Sequence, residues 1–141
     1  MTESNIGTER TDILAPRILI AEDNEILRKS LLDWINVSFP CCDVLEARDG
    51  EEAVLVALGK LPDVVVMDIA LPKMNGIEAT RKIKKETPDI RVVVLTIHEA
   101  SQYRTDAVTA GADAYILKRK MHSQLIPVLA VLLDSARAKT S

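Results

Sequence analysis

Short apolar runs rich in β-branched residues alternate with longer stretches of helical period along most of the chain. The runs lie at Arg17–Ala21, Val44–Ala47, Val64–Met67, Val92–Thr96 and Ala114–Lys118. Two of them, Val64-Val65-Val66 and Val92-Val93-Val94, are continuous rather than alternating. Continuous apolar strands belong to a sheet covered on both faces. Between the runs, Leu27, Leu31, Trp34 and Ile35 share one helical face. Val54, Ala57, Leu58 and Leu61 share a second, which Pro62 must end. Ile77, Thr80 and Ile83 mark a third helix, with Arg81, Lys82, Lys84 and Lys85 on its solvated side. Tyr103, Ala107 and Ala110 mark a fourth, closed by Gly111. Leu125, Val128, Leu129 and Leu132 mark the last, with Pro127 in its first turns or at a kink. Ile126, Ala130, Val131 and Leu133 lie off that stripe. This helix is therefore apolar nearly all round and calls for a partner, such as a second copy of the chain. Five β–α units predict an α/β fold: a doubly wound parallel sheet with helices on both faces. The polar residues 1–15 are expected to be a mobile tail, 16–136 a single domain, and 137–141 a C-terminal tail.

Composition narrows the class. The 141 residues are 48% apolar with a net charge of −3, which fits one globular domain and gives no basic footprint for nucleic acid. The longest apolar run, Leu125–Leu133, is interrupted by Pro127 and falls short of the roughly 18 residues of a membrane span. The first residues lack a signal-peptide pattern, so a cytoplasmic protein is expected. Cys41 and Cys42 are adjacent, which disfavours a disulfide between them, and both are expected to be reduced in a strand or loop. His98 and His122 have no metal-ligand spacing.

In a sheet of this kind, ligands bind beyond the carboxyl ends of the strands. Glu22 and Asp23 follow the first run, Asp68 the third, while Thr96 and Lys118 end the fourth and fifth. Three carboxylates, a hydroxyl and an ammonium thus converge on one edge. Clustered acids repel one another, and a hard cation such as Mg²⁺ relieves the repulsion. Cation, ammonium and hydroxyl together suit the oxygens of a transferring phosphoryl group, and a central carboxylate can be its acceptor. Asp68 is the best candidate because it closes a strand that is apolar on both faces. Each piece alone has an ordinary alternative, since acids after a strand often cap a helix and a lone Asp often belongs to a turn. The specificity lies in all five arriving in order at strand ends.

The stretches Ile18–Asp23, Val64–Gly76, Val93–Thr96 and Ala110–Lys118 resemble the receiver domain of two-component response regulators, particularly those of the NarL/LuxR type. The resemblance spans about residues 16–136. It implies a flavodoxin-like (βα)5 fold with strand order 2-1-3-4-5. By the same resemblance, Asp68 is the phosphoacceptor. Asp23 would bind Mg²⁺ directly, Glu22 mainly through water, and Ala70 through its backbone carbonyl. Lys118 would pair with phosphoryl oxygens, Thr96 would hydrogen-bond them, and Tyr115 would swing inward to alter the surface of the fourth helix, fifth strand and fifth helix. Such a domain assists its own phosphorylation and dephosphorylation without being an enzyme in the usual sense. Ile26 and Ser30, pointing outward from the first helix, would contact a histidine kinase or phosphotransfer protein.

Several positions depart from the commonest pattern, among them Glu22 in place of the more usual Asp and Pro127 in the last helix. Ile97 stands where many receivers carry a small residue and is expected to slow hydrolysis of the acyl phosphate. Arg119 stands where Pro is frequent. The chain is read either as a single-domain regulator or as the receiver portion of a longer DNA-binding regulator, which the NarL-like wording favours. A Mg²⁺-dependent phosphatase of the haloacid-dehalogenase kind would need an Asp two residues after the nucleophile, where Ala70 stands. A flavodoxin-like FMN carrier would need a phosphate loop where Glu22 and Asp23 would repel the phosphate.

Overall fold

The computed structural model describes residues 15–140, so the expected N-terminal tail lies outside the described residues except for Ala15. The elements, in chain order, are β1 (Arg17–Ala21), α1 (Glu25–Ser38), β2 (Asp43–Ala47), α2 (Gly50–Lys60) and β3 (Val64–Met67). They continue with α3 (Gly76–Glu86), β4 (Arg91–Thr96), α4 (Ser101–Ala110), β5 (Ala114–Leu117), a 3-10 turn (Lys118–Lys120) and α5 (Met121–Thr140). All strand pairs are parallel and the spatial order is β2-β1-β3-β4-β5, the expected topology.

The continuous apolar strands supply both faces at once, because successive side chains point to opposite sides. Leu19, Val65, Met67, Val92 and Val94 face a core layer completed by α2, α3 and α4. Ile18, Ile20, Val64, Val66 and Leu95 face the layer completed by α1 and α5. Register pairs Met67 of β3 with Ala21 of β1 and with Val94 of β4. The residues that follow these strands therefore leave the sheet at one edge. Among the described residues, no helix is long and apolar enough to cross a membrane.

Several helical faces differ from their sequence reading. On α1 the fully buried stripe is Arg28, Leu31 and Ile35, with Leu27 and Trp34 only half-buried. On α2 the buried face is Gly50, Ala53 and Ala57, while Leu55, Leu58 and Leu61 are exposed. Small residues there let the helix sit close to its neighbours, as the approach of Gly50 to the Met74 carbonyl shows. Lys84 is not on a solvated face: its Nζ lies 2.8 Å from Asp113 Oδ2, and its stem packs under Gly111. Gly111 ends α4 at φ 106°, as expected of a helix C-terminus. On α5 the buried stripe is Leu125, Leu129, Leu133 and Ala136, so Leu133 belongs to the core. That stripe and good helix formers carry α5 on to Thr140, across most of the expected C-terminal tail. Cys41 and Cys42 lie in the loop before β2 and are not bridged.

Gly76 opens α3 directly against the end of β3. Its N–H donates to the Ile69 carbonyl at 2.8 Å, and a Cβ there would fall 1.9 Å from the Asp68 carbonyl oxygen. Gly59, by contrast, has no atom within 4 Å of a would-be Cβ. Gly76→Ala is therefore expected to destabilise the domain by about 1–3 kcal/mol or more through forced displacement. Gly59→Ala should stabilise it by roughly 0.5–1 kcal/mol through helix propensity. Urea unfolding midpoints check both, and equal midpoints for the two variants would contradict the packing described.

Candidate functional site

Two chain segments deliver three carboxylates to the edge where β1 and β3 end. Oxygens of Glu22, Asp23 and Asp68 all lie within 4.8 Å of one another. Glu22 and Asp68 are buried, at 3% and 5% exposure, while Asp23 faces solvent. The ordinary reading of the acids as helix caps fails for a local reason. Asn24 takes that role, its side chain accepting the Leu27 N–H at 2.8 Å, which leaves the acids free. Asn24 N–H also donates to Glu22 Oε2 at 3.0 Å and fixes that carboxylate.

Lys118 supplies the counter-charge. It begins the 3-10 turn rather than ending β5, which stops at Leu117, one residue earlier than the sequence reading placed the strand end. Its Nζ lies 3.0 Å from Glu22 Oε1 and 3.4 Å from Asp68 Oδ2. Burial pushes the Glu22 carboxyl above the usual range and the nearby Asp68 charge adds to this; the Asn24 N–H and Lys118 pull the other way. One ammonium does not balance three acids, so the cluster retains an excess of negative charge on hard oxygen donors. That donor set fits Mg²⁺. The Ala70 N–H donates to Asp68 Oδ1 at 3.4 Å, placing the residue expected to offer its carbonyl beside the acceptor candidate.

Thr96 is fully buried at the end of β4, and its Oγ1 accepts the His98 N–H at 3.1 Å. The His98 carbonyl accepts the Tyr115 hydroxyl at 2.8 Å. Tyr115 is packed against the core layer on the α4 side, with the Arg104 guanidinium 4.6 Å from its ring centroid. Tyr115 is half-buried in this position. His98 itself stacks on Tyr103 at 4.2 Å. Arg119, at the position that departs from the common pattern, pairs with Glu99 at 3.0 Å and ties the loop after β4 to the turn after β5. Ile97 beside Thr96 is exposed. Ile26 and Ser30 face solvent on α1.

One residue of the site was missed in the sequence. Arg28 is 1% exposed, and its guanidinium reaches the Glu22 carbonyl at 3.0 Å and Glu46 Oε1 at 2.9 Å. Its spacing of three and seven before Leu31 and Ile35 put it on the buried stripe, a signal that its charge obscured.

Comparison with known proteins agrees with this geometry. Residues 18–130 match the response regulator receiver domain family. The transcriptional regulatory protein DegU of Brevibacillus brevis is 35% identical over 116 residues, covering 82% of this chain and 49% of that protein. The response regulator protein VraR of Staphylococcus aureus is 36% identical over 104 residues, covering 72% and 49%. The chain thus spans about half the length of these curated relatives. A LuxR-family two-component response regulator from Aurantimonas superposes with a TM-score of 0.80 at 33% identity, covering 86% of each chain. A CheY-like receiver domain protein from Methanospirillum hungatei superposes at 0.82 and 26% identity, covering 89% of this chain and 98% of that one. With its five-stranded order, its acid cluster at the strand ends and its matched sequence, the chain belongs to the response regulator receiver domain family of two-component signalling, and its homologues are regulators of the NarL/LuxR type.

Proposed function

We propose that Asp68 accepts a phosphoryl group from a histidine kinase or phosphotransfer protein, and that the surface of α4, β5 and α5 changes in response. The observation that carries this reading is the position of the Asp68 carboxylate. It sits in a cluster of acids no wider than 4.8 Å, with the Lys118 ammonium 3.4 Å away. An Asp68 oxygen bonds to phosphorus as the bond from phosphorus to the donor nitrogen breaks. Lys118 pairs with the phosphoryl oxygens as they arrive, and the Thr96 hydroxyl donates to one of them. Asp23, Asp68, the Ala70 carbonyl and, through water, Glu22 would hold Mg²⁺. When bound, the cation supplies charge neutralisation at the phosphoryl oxygens.

The His98 peptide supports the coupling to Tyr115. Its N–H is on Thr96 and its carbonyl is on Tyr115, so a shift of Thr96 toward a phosphoryl group is felt by the tyrosine through one residue. Ile26, 81% exposed, and Ser30 form the face offered to the phosphodonor protein. On α5, exposed Val131 with half-buried Ile126 and Ala130 supports pairing with a second copy. The longer relatives, regulators by name, favour a receiver that controls a DNA-binding output over one that acts alone. Catalytic turnover of phosphoesters is disfavoured by Ala70, which offers no acid to protonate a leaving group.

Incubation with Mg²⁺ and acetyl phosphate, followed by intact-mass measurement, is expected to add one phosphoryl group to the wild type and none to Asp68→Asn. Addition to both would move the acceptor elsewhere. Ile97→Ala is expected to hasten decay of the phosphorylated form several-fold by opening the path for water, and an unchanged decay would remove that role. Without Mg²⁺, Asp68→Asn should also raise the melting temperature by a few degrees, since it removes like-charge repulsion worth about 1 kcal/mol. Added Mg²⁺ should stabilise the wild type and much less the variant, as scanning calorimetry would show.

A further inference from the structure

A guanidinium as deeply buried as that of Arg28 has to be held by partners, because an unpaired charge away from water is costly. Its Nε donates to Glu46 Oε1 at 2.9 Å, which anchors it to β2, and its Nη1 donates to the Glu22 carbonyl at 3.0 Å. Its Nη2 makes no hydrogen bond and lies 3.7 Å from Glu25 Oε1. From the solvent side, Lys29 shares the same Glu46 carboxylate at 3.1 and 3.2 Å. The Arg28 bond, with help from Lys29, holds the Glu46 carboxyl below the usual range.

Glu22 is fixed at four points, and Arg28 holds a distinctive one. The Glu22 N–H donates to the Ala47 carbonyl at 3.0 Å. Its two carboxylate oxygens are taken by the Asn24 N–H and by Lys118, each at 3.0 Å. The remaining anchor is its carbonyl, and that carbonyl shares a rigid peptide plane with the N–H of Asp23. Turning this plane would swing Asp23 relative to Glu22 and Asp68. The planar fork bonds a carboxylate on β2 and a carbonyl on the β1 exit through two nitrogens held in fixed geometry, which the single nitrogen of an ammonium does not reproduce.

We infer that Arg28 is a positioning residue for the acid pair: by pinning the Glu22–Asp23 peptide it sets how well the cluster holds a divalent cation. This rests on the Mg²⁺ reading proposed above. It also makes a prediction of unusual sign. Arg28 is a cation near the acids, so by charge alone its removal would tighten Mg²⁺ binding. If its role is to hold the peptide, its removal loosens binding.

The test is titration of the full chain with MgCl₂, without phosphodonor, followed by backbone amide NMR signals of Asp23 and Asp68. Arg28→Gln (charge removed) and Arg28→Lys (charge kept, fork lost) are both expected to raise the dissociation constant by about 10–100-fold, as loss of a group that orients metal ligands does. Lys29→Ala should change it by less than about twofold, because the exposed side of Glu46 does not reach the Glu22 peptide. A dissociation constant equal to or below wild type in either folded Arg28 variant overturns the inference. Should neither variant fold, Glu46→Gln weakens the anchor while leaving Arg28 in place. A several-fold weaker affinity there supports the inference, and an unchanged one overturns it. If the wild type binds no Mg²⁺, the cation reading itself fails and takes this inference with it. Wild-type binding with unaltered Arg28 variants overturns the inference alone.

Discussion

Like charges crowded at a strand edge are the constraint around which this domain is arranged. At a separation near that of the Glu22, Asp23 and Asp68 oxygens, each pair of charges repels by on the order of a few kcal/mol at the effective dielectric of a protein surface. A domain of this size has only about 5–15 kcal/mol of stability in total. The fold tolerates the cluster because each acid is placed by something else. Register brings the ends of β1 and β3 together, and neither strand can retreat without breaking a ladder buried on both faces. Asn24 caps α1 so that neither neighbouring acid is consumed in doing so. Lys118 arrives from the far end of the chain and returns part of the electrostatic cost. What remains is a standing demand for positive charge, and the chemistry proposed for the site follows from that demand.

The sheet was legible in the sequence because its strands are buried on both faces and carry little else. Val64–Met67 has no polar position to confuse its reading, and its bounds coincide with those of β3. The acids were legible for a related reason. Charged residues directly after such runs stand out, and there is only one edge at which they can meet. Helical faces were harder. On α2 the large residues Leu58 and Leu61 suggested the core, yet close packing selected Gly50, Ala53 and Ala57. A hydrophobicity pattern weighs side-chain size, whereas a tight helix contact rewards its absence.

Charged residues with buried partners were the other blind spot. Arg28 and Lys84 both sit where helical period allows burial, yet Arg28 was passed over and Lys84 read as solvent-facing, because their partners, Glu46 and Asp113, lie far away in the chain. Nothing local announces such a pairing. The two cases differ in kind. Lys84 and Asp113 join α3 to the loop before β5, and Asp113 also accepts the Val92 N–H at 2.8 Å, so that pair serves the architecture. Arg28 ends on the backbone of the acid cluster, so its burial bears on the chemistry.

The contact between Gly76 and the end of β3 bears on how such a domain can diversify. The helix start is pressed against the very peptide that carries Asp68, so the seven residues between them form a bracket of fixed span. An insertion or deletion there would lever Asp68 out of place, whatever its side chains. Exposed positions on α1 and α5 carry no such tether to the acids. The outer helices can therefore be redecorated, while the spacing around Asp68 stays closed to change.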